Sequence, residues 1–300
     1  MRNSFLSSNQ AGKNQFWRYF VTSTLAVGMW VSATVIFLFV VFLLKGTIDL
    51  QELSYSLVLL ITMLPFAFLL LGLWFGVNFI HRRSFISLIN PLKNIRWSYI
   101  GISIILWLIL AAISDFLISL VQPGNYQLSF TRKQFIPYFL LAVVLVPIQT
   151  SAEELLFRGY LTQAIGLISH RLWLPIIIPA VLFGLLHGMN PEVDTYGFWI
   201  MIAYYIGMGL LLGWITLRSQ GLELALGLHF INNLYGTLIV TYPDSAIRSP
   251  ALYTLQYFDP ITGLIAFLIM AMVYILVISL LIRLDRNGKS SPITEKRGNL

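Results

Sequence analysis

Residues 136–168 read IPYFLLAVVLVPIQTSAEELLFRGYLTQAIGLI. The first half, Ile136 to Pro147, is apolar enough for lipid. The second half carries Glu153, Glu154, Arg158 and Gln163. An ionisable side chain inside a membrane span is costly unless it faces protein or a water-filled cavity. The stretch therefore predicts a membrane helix whose polar stripe turns into a helical bundle. Composition agrees. Of 300 residues, 58% are hydrophobic and 10% charged, with a mean hydropathy of +0.81. A soluble domain keeps about a quarter of its residues charged.

A span needs about 20 apolar residues. Working outward from 136–168, the candidates are roughly 20–44, 55–80, 98–121, 136–168, 173–189, 198–217, 222–241 and 261–283. The expected fold class is thus all-α: a polytopic integral membrane bundle of about eight helices. The run from Phe20 to Leu44 is too long for a signal-peptide core and lacks a small-residue cleavage site, so it reads as a retained first helix. With eight spans and an internal N-terminus, the inside holds 15 Lys and Arg and the outside 4, namely Lys45, Arg132, Lys133 and Arg248. That asymmetry predicts two cytoplasmic termini. It also explains the net charge of +7 without nucleic acid, since the chain lacks a basic soluble module. The absence of Cys excludes thiolate chemistry and disulfides.

The organisation expected is 1–131 as accessory membrane helices, 132–241 as the site-bearing core, and 242–300 as a final helix with a polar cytoplasmic tail from Asn287. Gly72/Gly76, Gly184/Gly188 and Gly209/Gly213 fit the small-xxx-small spacing of close helix contacts. His81 and His170 fall at loop edges and read as solvated.

Four polar residues carry the chemistry. On a helix, neighbours point about 100° apart, so Glu153 and Glu154 cannot do the same job. Glu154 and Arg158 are i and i+4 with the acid first, the favourable order for an ion pair. Glu153 faces elsewhere, and an underpaired carboxylate in a low-dielectric pocket suits a general base. All three could instead form a surface patch at a helix end. His187 lies 17 residues beyond His170 and Glu153 lies 17 before it, so an antiparallel hairpin would put the two at one height. Pro175 and Pro179 could bend the intervening helix. His229 and Asn233 are i and i+4 on one face. They suit either metal ligation or donation to an oxyanion, or they merely join helices. Asn232 sits on a different face and is not carried. Asp115 interrupts another apolar run and reads as lying near the outer interface or bonded to a neighbouring helix, with a relay or a place in the site as the alternatives.

Glu153-Glu154-x-x-x-Arg158, Phe183-x-x-x-His187 and His229-x-x-x-Asn233, in this order on successive helices, resemble the three motifs of the CPBP family. That family contains the type II CAAX prenyl endopeptidases and bacterial relatives linked to bacteriocin processing and self-immunity. The resemblance covers about residues 132–241. It implies an intramembrane endopeptidase of a membrane-associated, optionally lipidated, peptide or protein. Glu153 and His187 would activate water, and His229 and Asn233 would bind the oxyanion. Glu154, Arg158 and Phe183 would support them. An older view of such residues makes His187, His229 and Glu153 candidate Zn²⁺ ligands, giving a metalloprotease. Zinc takes such donors and activates water, although no His-Glu-x-x-His helix is present. The expected location is a bacterial inner membrane, with the site facing the cytoplasm. The rival functions are an ion- or proton-coupled transporter using Glu153, His187 and Asp115, and a non-catalytic immunity or scaffold protein. No internal repeat supports the transporter.

Overall fold

The computed structural model describes residues 4–7, 12–169 and 171–289. His170 and the tail from residue 290, on which two expectations fell, lie outside the described residues. After a short turn, α1 (Ser4–Ser7), the chain forms α2 (Phe16–Lys45), α3 (Tyr55–Met63), α4 (Pro65–Phe75), α5 (Trp97–Val121), α6 (Arg132–Glu154), α7 (Thr162–Ile168) and α8 (Leu174–Leu186). It continues with α9 (Pro191–Tyr196), α10 (Phe198–Ser219), α11 (Glu223–Leu238) and α12 (Pro260–Lys289). This is the all-α architecture the apolar runs predict.

Among the described residues, six helical stretches are long and apolar enough to cross a membrane: Phe16–Lys45, Tyr55–Ile80, Trp97–Val121, Arg132–Ile168, Phe198–Ser219 and Pro260–Asp285. The other two expected spans are shorter, Leu174–Met189 and Glu223–Leu238. Many apolar side chains point outward, as lipid contact requires. Phe20, Val35, Phe39, Ile105, Phe116, Leu140 and Leu276 are all exposed.

Two spans are composite, for physical reasons. Pro65 begins α4, where its missing N–H is tolerated, so α3 and α4 meet at a break rather than run on. In Arg132–Ile168 the chain passes from α6 through a π-helical segment, Leu155–Leu161, into α7. The wider turn falls directly after Glu154 and carries Arg158, and such π segments are frequent at functional sites. Pro175 sits in the first turn of α8, so it starts that helix rather than bending it; only Pro179 lies in its interior.

The small-residue pairs mostly mark real crossings. A Cβ on Gly72 would come 2.6 Å from the Ala26 backbone of α2, and one on Gly209 would come 2.9 Å from Ala180 of α8. Gly188 differs, because its nearest neighbours, Ile202 and Phe198, would lie 3.6 Å away, an ordinary contact.

The bundle has two unlike ends. At one, a small sheet in the order β1-β3-β2 joins β1 (Tyr126–Leu128), β3 (Tyr253–Leu255) and β2 (Val240–Thr241). β1 runs antiparallel to β3 with Tyr126 opposite Leu255, and β2 runs parallel to β3 with Val240 opposite Tyr253. Arg248 Nη1 donates to the carbonyls of Leu50 (2.6 Å) and Leu53 (3.2 Å), and the Tyr196 hydroxyl donates to Pro243 O. These bonds and the sheet gather the loops after α2, α5 and α11 and the end of α9 at this strand end. At the other, basic end, Arg83 donates to Gln163 (2.7 Å), Gln163 donates to Ser87 O, and Glu223 accepts from Asn90 and Arg96.

His81 corrects the sequence reading. It is fully buried at the basic end, not solvated. Its Nδ1 donates to Lys13 O (2.8 Å), its Nε2 accepts from the Tyr160 hydroxyl (2.8 Å), and Tyr19 packs edge-on at 4.5 Å. Burial lowers its pKa from 6.5 to about 4, with Arg83 and Arg18 nearby adding to the effect against the bond to Lys13 O. The unfolded chain takes up this proton at about 6.5, whereas the fold holds it off until about 4. Stability from His81 is therefore complete above pH 6.5 and declines as pH falls from there toward 4. Thermal unfolding of the detergent-solubilised protein should show this slope, and His81→Asn should flatten it. An equally steep slope in the variant would assign the effect to other groups.

Candidate active site

The residues singled out in the sequence converge on one cavity of about 430 Å³. Glu153, Phe183, His187, His229 and Asn233 all line it. Glu153 and His187, matched in height by their distances from the connecting turn, thus reach the same space from α6 and from the C-terminal end of α8. His187 caps α8 and opens a short 3-10 turn, His187–Met189. Its Nδ1 lies 2.7 Å from Phe183 O. A carbonyl can only accept, so Nδ1 carries the proton and the neutral ring keeps an acceptor lone pair on Nε2. The ring is held between Phe183 (4.3 Å) and Tyr205 (4.4 Å).

Glu154 and Arg158 form the expected ion pair at 2.8 Å, with side chains 0% and 1% exposed. They are not a surface patch. The guanidinium also stacks 4.3 Å above Phe183. Glu154 has a second partner that helical spacing could not disclose: its Oε1 accepts from His229 Nδ1 at 2.8 Å. Glu154 is therefore both the partner of Arg158 and the residue that orients His229, which widens the role expected for it. Glu153 points the other way. Its Oε2 is buried without a hydrogen-bond partner and lies 3.6 Å from His229 Nε2.

A chain of amides fixes Asn233. The Trp107 indole can only donate, and it does so to Asn232 Oδ1 (3.1 Å). That leaves the Asn232 NH₂ to donate to Asn233 Oδ1 (3.2 Å). The Asn233 NH₂ must then face the cavity, where it reaches Gln149 Oε1 (3.2 Å) and His229 Nε2 (3.4 Å). Two residues passed over in the sequence reading belong here. Asn232 was set aside because adjacent residues diverge, yet it reaches sideways to Asn233 and lines the cavity. Gln149 precedes Glu153 by one helical turn, so its i, i+4 spacing could have found it.

Asp115 also lines the cavity, with one carboxylate oxygen bonded to Tyr126 and the other to Tyr235, each at 2.8 Å. This is the neighbouring-helix bond expected. Glu192, unremarked in the sequence beyond its loop, lines the cavity at 2% exposure and accepts from the Tyr205 hydroxyl. Burial raises its carboxyl above the ordinary range.

Among the described residues, no group of three or more His, Asp or Glu side chains is arranged to hold a metal ion. The expected ligand His229 is engaged at both nitrogens, by Glu154 and by the Asn233 amide. As they stand, His187, His229 and Glu153 are not grouped as the ligands of one ion.

Comparison with known proteins agrees with the motif resemblance. Residues 132–235, which carry the Glu153, His187 and His229 motifs, match the family model described as type II CAAX prenyl endopeptidase Rce1-like. The chain is also 34% identical over 269 residues to the protein described as uncharacterized protein YyaK of Bacillus subtilis (strain 168), covering 86% of this chain and 89% of that one. No solved structure matches the chain. The six apolar helices and the matched family model make this a polytopic membrane protein of a protease-like family. The chain belongs to the CPBP family, the group of Rce1-like CAAX-type intramembrane proteases.

Proposed function

We propose that this protein is an intramembrane endopeptidase with eight crossings that hydrolyses a peptide bond of a membrane-associated peptide or protein by direct activation of water. The observation that carries the reading is the convergence of three groups on one cavity: a carboxylate oxygen without a partner (Glu153), an imidazole with a free acceptor nitrogen (His187), and an amide whose N–H groups face inward (Asn233). Water held between Glu153 and His187 loses a proton to Glu153 as its oxygen attacks the peptide carbonyl carbon. The carbonyl oxygen becomes an oxyanion, which accepts from the Asn233 NH₂ group, with His229 lining the cavity beside it. Glu154 fixes the orientation of that ring by accepting from Nδ1. As the C–N bond breaks, the proton on Glu153 passes to the leaving amine. One water is consumed, and a carboxylic acid and an amine are released, the acid proton then passing to the amine so that the products leave as carboxylate and ammonium.

The same geometry counts against the transporter reading, because both oxygens of Asp115 are already held by tyrosines. The test compares membrane-associated peptides in cells with the wild type, with Glu153→Ala and with His187→Ala. Peptides cleaved only by the wild type support hydrolysis. Identical profiles from all three, with each protein folded and in the membrane, would overturn it. On a peptide so identified, Asn233→Ala is expected to lower kcat by about 10²- to 10³-fold with KM little changed. A loss confined to KM would make Asn233 a ground-state binding residue instead.

A further inference from the structure

The side of the membrane that serves this cavity follows from two independent features. The first is charge. The basic end of the bundle carries Lys13 and Arg171 in its loops and Arg218 in the last turn of α10, with Arg82, Arg83, Lys93 and Arg96 in the single connection between α4 and α5. The strand end holds Lys45, Arg132, Lys133 and Arg248 and is offset by Asp49, Glu52, Glu192, Asp194, Asp244 and Asp259. Short loops rich in Lys and Arg remain in the cytoplasm.

The second feature is the course of the cavity. From Glu153 and His229 it runs to Glu192, Tyr242, Ala246 and Phe258, all at the strand end. No loop residue of the basic end is among those that line it. Toward the basic end the site is backed by solid packing: Arg158 on Phe183, then Leu222, Leu224 and Leu228, each at most 2% exposed, then the Arg96–Glu223 pair. The expectations of cytoplasmic termini and of a cytoplasm-facing site therefore cannot both hold. The charge distribution decides for the termini.

We propose that the cavity opens on the non-cytoplasmic face, so that its substrate is a peptide segment presented at the outer surface of the membrane, not a cytosolic tail. The lining supports a match to basic or neutral peptides, because it contains Asp115, Glu153 and Glu192 and no Lys or Arg. The role of that peptide as a substrate rests on the endopeptidase reading; the direction of the opening does not.

The chain contains no Cys, so single cysteines report position directly. Three full-length variants suffice: Gln51→Cys, exposed at the strand end; Ala246→Cys, exposed on the cavity rim; and Asn94→Cys, exposed at the basic end. With a membrane-impermeant maleimide on intact cells or spheroplasts, Gln51→Cys and Ala246→Cys are expected to label. Asn94→Cys should label only after permeabilisation, by at least tenfold more than before. Labelling of Asn94→Cys in intact cells to the level of Gln51→Cys would overturn the orientation. Labelling of Gln51→Cys but not Ala246→Cys would overturn the opening. None of these readouts involves hydrolysis, so failure here leaves the peptidase reading standing, and loss of the peptidase reading leaves this one testable.

Discussion

Glu153→Gln should lower peptide hydrolysis by roughly 10³-fold, within the span general-base removal produces, while leaving the protein folded. The substitution preserves shape and breaks no hydrogen bond at Oε2, which has no partner. It removes the one property the mechanism uses, a lone-pair oxygen able to take a proton from water. The neighbouring substitution separates chemistry from structure. Glu154→Gln keeps an oxygen that can accept from His229 Nδ1 but loses the charge that balances Arg158. It should therefore cost stability more than Glu153→Gln does. Retention of more than a tenth of wild-type turnover by Glu153→Gln, with unchanged thermal unfolding, would remove Glu153 from the role of base.

Arg158→Ala has the largest expected structural effect. Taking one partner from a buried ion pair costs about 3–5 kcal/mol, because the remaining charge stays desolvated and uncompensated. Here that charge is Glu154, 0% exposed, and the change also empties the face of Phe183, which packs on His187 and His229. Thermal unfolding in detergent should fall sharply. The double variant Glu154→Gln/Arg158→Met removes both charges and keeps much of the volume, so it should recover most of the loss. If the double variant is as unstable as Arg158→Ala, the contribution of Arg158 is packing against the aromatic rings and not compensation of Glu154.

The amino-acid sequence by itself determined what depends on neighbours along one helix. Apolar length marks the membrane-spanning stretches. The i, i+4 spacing pairs Glu154 with Arg158 and puts His229 and Asn233 on one face, since residues four apart are neighbours on a helix surface. Equal distances from a turn even brought Glu153 and His187 to one cavity.

Only the tertiary structure decided contacts between helices, since the rotation of one helix against another depends on packing that no local period encodes. Glu154 meets His229 across 75 positions and Trp107 fixes Asn232 across 125, so a residue set aside became part of the site. His81 looked like a loop-edge histidine until Lys13 and Tyr160 enclosed it. The direction of opening proposed above likewise rests on packing and not on any local period. A polar stripe shows that a helix faces the interior, while the end at which that interior opens is set by which loops close over it.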